Sequence, residues 1–159
     1  MLKIRLFLTF FGLLITLIGP AFGQEGNALQ VIVSQSETIA LNLEELEAIA
    51  QTEFTTSTIW LSGGPHFSGV ALKALLEHFA IKGSNIEVIA LDGYAVSMPI
   101  ADLEDNAPII VTRLNGEIML ICKNGPYWVV FPYDSDPKYQ TEINFARSIW
   151  QLTHIRVVD

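Results

Sequence analysis

The sequence predicts an α+β domain of mixed sheet, with more strand than helix, and three observations carry that prediction. Strand-like runs recur through the chain, while amphipathic helical stripes are confined to short segments near residues 43–50, 70–79 and 143–149. Two turn dipeptides, Asp92-Gly93 and Asn115-Gly116, each sit between runs of strand-forming residues, as in hairpins. Residues 24–159 contain no internal repeat, low-complexity tract or linker, and their length suits one domain with its own core.

The elements follow in order. Residues 29–34 alternate apolar and polar side chains and read as a strand, with a second short strand at 38–41. Asn42 then caps a helix over 43–50, with Glu45 placed as its capping-box partner. Leu43, Leu46, Ile49 and Ala50 form the buried face of that helix, and the glutamates its solvated side. Residues 52–60, rich in threonine, read as a strand that Ser62-Gly63-Gly64-Pro65 breaks. Gly69 precedes a helix over 70–79, with its stripe at Leu72, Leu75, Leu76 and Phe79, and Lys82-Gly83 closes that segment. Strands at 85–91 and 94–98 flank Asp92-Gly93, and residues 100–103 make one helical turn. Strands at 109–114 and 117–122 flank Asn115-Gly116, and another strand runs over 127–131. A polar loop at 133–140, a short helix at 143–149 and a last strand at 153–158 complete the chain.

The ends and the composition bound the function. Lys3 and Arg5 precede an apolar run, Leu6 to Ile18, followed by Pro20 and Ala21-Phe22-Gly23, the pattern of a secretory signal cleaved after Gly23. The competing reading is an uncleaved anchor, for which the run is short against the span of about 20 residues that a membrane needs. Lys3 and Arg5 are not adjacent and no cysteine follows the run, so neither a twin-arginine signal nor a lipoprotein anchor is expected. The expectation is therefore a signal peptide at 1–23, one domain at 24–159, and a periplasmic or secreted protein with no membrane span after cleavage. Without Lys3 and Arg5 the nine basic residues fall to seven against seventeen acidic ones, a net charge of about −10. That balance excludes nucleic acid and anionic membrane surfaces as natural partners. The single cysteine, Cys122, excludes an intramolecular disulfide, a two-thiolate zinc site and a CxxC redox pair. It is expected as a small buried hydrophobe on the 117–122 strand; a redox-sensing role would need exposure and a cation such as Lys123.

Five segments in order then resemble one family. Phe67-Ser68-Gly69-Val70-Ala71-Leu72-Lys73-Ala74-Leu75-Leu76 resembles its F-x-G-V-x-L-x-x-L-L element, and Leu91-Asp92-Gly93-Tyr94 its DGY hairpin. Arg113-Leu114-Asn115-Gly116-Glu117 is similar to the hairpin before its central loop. Gly125-Pro126-Tyr127-Trp128-Val129-Val130-Phe131-Pro132 is similar to its G-x-P-L-R-x-x-x-P element, and Ser148-Ile149-Trp150-Gln151-Leu152 with Ile155 to its closing segment. The family is the oxidoreductase molybdopterin-binding domain, the catalytic domain of sulfite oxidases and plant-type nitrate reductases, here in its small, exported, single-domain form. The resemblance implies a mixed-sheet α+β fold of the sulfite oxidase type, with a cysteine thiolate and the pterin dithiolene on molybdenum.

Three departures bear on that chemistry. The family keeps its cysteine at the end of the strand equivalent to residues 54–60, and the stretch 55–64 contains none. The arginine expected after G-x-P-L is replaced by Trp128, which leaves Arg113 and Lys123 as nearby cations for a pterin phosphate. Members of the family cross the membrane folded, with cofactor loaded, whereas this signal implies export unfolded. The residues expected to line the old cleft are Trp60, His66, Asp92, Tyr94, Arg113, Lys123 and Trp128, with Tyr127 a further aromatic at its rim. Asp92 is also a turn former, and Arg113 and Lys123 also suit solvated strand ends. The reading is a domain with degenerate cofactor ligation and no cofactor, binding a small molecule or a periplasmic or membrane sensor protein. The alternative is a genuine molybdopterin-dependent oxidoreductase that uses the pterin without a protein cysteine; a structural partner subunit is the third class.

Overall fold

A computed structural model describes residues 27–159; the signal-like segment 1–23 and its expected cleavage lie outside the described residues. In chain order the elements are β1 (Leu29–Ile32), β2 (Thr38–Leu41), α1 (Leu43–Glu47), β3 (Gln51–Thr55), β4 (His66–Ala71), α2 (Leu72–His78), β5 (Asn85–Ala90) and β6 (Ala95–Pro99). There follow β7 (Ile109–Leu114), β8 (Glu117–Ile118), β9 (Trp128–Val130), α3 (Glu142–Arg147) and β10 (Leu152–Val158). Among the described residues, ten strands against three short α-helices give the α+β class that the sequence predicts.

The strands form two sheets. The first has the order β2-β1-β10-β5-β6, antiparallel except where β1 runs parallel to β10, so that the last strand sits at the centre beside the first. The second has the order β3-β4-β7-β8, with β9 also pairing β7. Fully buried residues of both sheets and of α2, among them Leu29, Phe67, Leu75, Ile109, Trp128 and Ile155, share one core. No helix of the described residues is long and apolar enough to cross a membrane.

Local chemistry accounts for the elements that match their sequence signals. Asn42 Oδ1 accepts the Glu45 N–H at 2.9 Å while the Glu45 carboxylate accepts the Asn42 N–H at 2.8 Å, which is the expected capping box. Gly93 and Asn115-Gly116 adopt the positive φ that their turns require.

Four expectations are corrected by packing. The expected 70–79 helix begins only at Leu72, because Phe67-Ser68-Gly69-Val70-Ala71 is the middle of β4, hydrogen-bonded to β3 on one side and β7 on the other. Gly69 sits there at a bulge, and a Cβ added to it would stand 1.9 Å from the Ile110 carbonyl oxygen. The expected 52–60 strand stops at Thr55, since the hydroxyls that follow bond to backbone instead of leaving it to a ladder. The expected 117–122 strand stops at Ile118, because β9 already occupies the edge of β7 at Ile109, Ile110 and Val111. Cys122 therefore lies on an exposed 3-10 turn, Ile121–Lys123, and is not a core residue. The Lys123 and Gly125 N–H groups both donate to the Leu120 carbonyl, and Asn124, at φ +66°, ends the turn in the left-handed region.

Candidate functional site

The seam between the sheets is built by the closing segment 148–152, which is strapped along β9. The Val129 N–H donates to the Ile149 carbonyl and the Leu152 N–H to the Tyr127 carbonyl, each at 2.9 Å, while Trp128 Nε1 donates to the Ser148 carbonyl at 3.2 Å. This strap holds Trp150 against Trp128 and Trp60, with ring centroids 6.4 and 6.0 Å away. The Leu91 N–H donates to the Gln151 carbonyl at 2.9 Å, which ties the Asp92-Gly93 turn to the same place. Within that turn the Tyr94 N–H donates to Asp92 Oδ1 at 2.9 Å.

All three tryptophans of the chain thus meet. Trp60 lies edge-on to Trp128 at 5.6 Å, to Phe145 at 6.1 Å and to Trp150 at 6.0 Å, an arrangement that fits ring quadrupoles and fixes the indole. Tyr133 stacks on Phe145 at 4.9 Å, and its hydroxyl pairs with Ser148 Oγ, which donates in turn to the Asn144 carbonyl at 2.8 Å. Burial pushes the Tyr133 phenol up to about 12.

Beside Trp60 opens a cavity of about 240 Å³, lined chiefly by Trp60, Asp92, Tyr94, Phe145 and Trp150. Among the described residues Asp92 is its only charged lining residue. A second hollow of about 220 Å³ shares Phe145 and is walled by Ser57, Thr58, Ile59, Tyr133, Asp134 and Gln140. It adjoins the stretch where the resemblance places a thiolate. There the Ser57 N–H and Oγ–H both donate to the Asp134 carboxylate at 2.6 Å, and the Asp134 N–H donates to Thr56 Oγ1 at 3.0 Å. The Ser57 hydroxyl, then its backbone N–H, hold the Asp134 carboxyl below the usual aspartate range.

A larger depression, about 870 Å³, lies around Glu53, Lys73, Glu104, Asp105 and Tyr139. Three of its four charges, Lys73, Asp105 and Glu104, are held in close ion pairs. Lys73 meets Asp105 at 2.6 Å, while Lys138 and the Tyr139 hydroxyl both reach Glu104 at 2.9 Å, holding its carboxyl below the usual range.

The seven residues singled out in the sequence divide. Trp60, Asp92 and Tyr94 line the cleft together. Trp128 lies behind it, fully buried, as the wall on which Trp60 and Trp150 rest. His66 opens β4, its Nε2 3.7 Å from a Glu53 carboxylate oxygen, and is not among the cleft residues. Arg113 makes a two-pronged pair with Glu47 on α1, Nε at 2.6 Å and Nη2 at 3.1 Å, which raises its pKa and withdraws it from any phosphate. Lys123 is exposed on the 3-10 turn beside Cys122, and neither lines the cleft. Trp150 and Phe145 complete the site. Trp150 stands in the closing motif already quoted, but nothing local in the sequence separates it from a core tryptophan.

The group implied by the resemblance can be tested against these donors. A molybdopterin needs a soft ligand or a cationic cradle, whereas among the described residues both hollows beside residues 55–64 are lined by carboxylate and hydroxyl and by no lysine, arginine or cysteine. The residues present do not fit it.

No family model matches the sequence, and no curated protein matches it. Among solved structures the chain is similar to the sulfane dehydrogenase SoxCD from Paracoccus pantotrophus, with a TM-score of 0.63 and 17% identity over 85% of this chain. The match spans 39% of that longer chain. At this identity the likeness is one of fold alone.

Proposed function

We propose that this chain is an exported ligand-binding module, built on a molybdopterin-oxidoreductase-like fold, whose degenerate site no longer holds the pterin. One observation carries the reading: at the seam an aromatic cleft of about 240 Å³ holds, among the described residues, a single charged group, Asp92, and no cation or thiol. Sites for small molecules are concave, mostly apolar and furnished with few polar groups. The volume lies just below the roughly 300–1,000 Å³ of drug-sized pockets, which favours a small metabolite. The bound state would be read by a periplasmic or membrane sensor protein. Support for an unfilled pterin site comes from the Glu47–Arg113 pair, which consumes a cation the cofactor's phosphate would need, and from the Ser57–Asp134 clamp, which sets a hydroxyl and a carboxylate where the resemblance expects a thiolate.

A screen of small metabolites by thermal unfolding and tryptophan fluorescence tests the reading. A ligand at about a hundred times its Kd should add about 2.7 kcal/mol of stability. Trp60→Leu should abolish that gain while leaving the domain folded by circular dichroism. A gain that persists in Trp60→Leu, or a wide screen with no ligand, contradicts it. The rival, an oxidoreductase that binds the pterin without a protein thiolate, draws on the fold likeness to the sulfane dehydrogenase.

A further inference from the structure

We propose that the Trp60 cleft selects a small organic cation, of the quaternary or alkylated ammonium class; this rests on the cleft being a ligand site. Four aromatic side chains, Trp60, Tyr94, Phe145 and Trp150, line a cavity that contains, among the described residues, one carboxylate and no lysine, arginine or histidine. Each candidate ligand charge meets these groups differently. An anion would face the Asp92 carboxylate with no counter-charge in the walls. A neutral apolar ligand would pack on the rings but leave the Asp92 carboxylate without a counter-charge. A cation satisfies both, because aromatic rings and a carboxylate each attract it.

The supporting structure favours the same ligand. Asp92 Oδ1 is held by the Tyr94 N–H, so the acid is fixed at the rim, and among the described residues it makes no ion pair. The nearest basic residue in sequence to the lining is Arg147, which follows Ala146; its Nη1 lies 3.6 Å from Asp102, and it is not among the lining residues. Trp60 is braced by three edge-on aromatic neighbours, so the wall is formed before the ligand arrives and little ordering cost falls on binding. The net charge of −8 for the whole chain attracts cations toward the surface and repels anions.

The test titrates the full domain with choline, with tetramethylammonium, and with the neutral isostere of choline in which a tert-butyl group replaces trimethylammonium. Tryptophan fluorescence is the readout, since Trp60 and Trp150 line the cleft. Saturable binding of both cations is expected, with the neutral isostere weaker by about tenfold or more. Asp92→Asn keeps the oxygen that accepts the Tyr94 N–H, so the turn survives. It should weaken choline by about tenfold and leave the neutral isostere unchanged. Equal binding of choline and its isostere, or an Asp92→Asn protein that is folded and binds choline as before, overturns the cation proposal while leaving the cleft as a ligand site. Failure of both cations to bind at millimolar concentration also overturns it. The ligand-site reading falls separately, only if the wider metabolite screen finds nothing that Trp60→Leu abolishes.

Discussion

Trp128 stands where the resemblance expects an arginine, and its surroundings explain why an arginine would not serve here. The indole is fully buried, edge-on to Phe67 at 5.8 Å, and its Nε1 gives the Ser148 carbonyl a hydrogen bond. A guanidinium in that place would be a buried charge facing a neutral acceptor, the Ser148 carbonyl. Trp128→Phe removes the donor and leaves the carbonyl unpaired, so it should cost about 1–3 kcal/mol in urea unfolding, before any cavity term; a loss of a few tenths would contradict the role assigned to the bond. Asp134 gives a pH signature. Its folded-state pKa is depressed by Ser57, so its contribution is complete above the unfolded value of about 3.9 and disappears as pH falls through the folded value. Asp134→Asn should therefore melt lower than the parent at neutral pH, with the gap closing as the solution is acidified below that value. A gap that stays constant or widens in acid would refute the clamp. Among single residues, Trp60, Asp92 and Tyr94, each singled out in the sequence beside a turn or a strand end, line the cleft. His66, Arg113 and Lys123 stand apart from it, and Arg113 is claimed by Glu47, which no local pattern announces.

Gly69 shows how an element can be misread from a correct pattern. Leu72, Leu75 and Leu76 do form the buried stripe of α2, but the Phe67-Ser68-Gly69-Val70 stretch before it belongs to a strand paired on both sides. The requirement for glycine comes from the close approach of β7, which only the folded sheet supplies. Gly69→Ala should push β4 off β7 and cost about 3 kcal/mol or more, measured by chemical unfolding. A loss below about 1 kcal/mol would mean that the bulge accommodates a methyl. The α1 capping box and the Asp92-Gly93 turn were readable because both residues of each device lie within a few positions of one another. The shortening of β8 was not, because it depends on β9 taking the rest of the β7 edge. Cys122 left the core with it.

At the scale of the molecule, the parallel pairing of β1 with β10 and the strap of residues 148–152 along β9 bring the end of the described chain to the junction of both sheets. That closure makes the cleft: Trp60 comes from the loop after β3, Asp92 and Tyr94 from the β5–β6 turn, and Phe145 and Trp150 from α3 and the strap. The fold class was legible because it follows from local strand and turn signals. The cleft was legible only in part, because its far wall is assembled by long-range pairing. The likeness to the sulfane dehydrogenase concerns that same framework, while the acids and hydroxyls around residues 55–64 argue that the chemistry on it differs. The account's central claim is that this framework carries a binding cleft in place of pterin ligation. Its most direct test is elemental analysis for molybdenum, with pterin fluorescence after oxidation, on folded protein purified from the cells that make it. The expected result is molybdenum far below one atom per chain and no pterin signal; near-stoichiometric molybdenum would contradict the account.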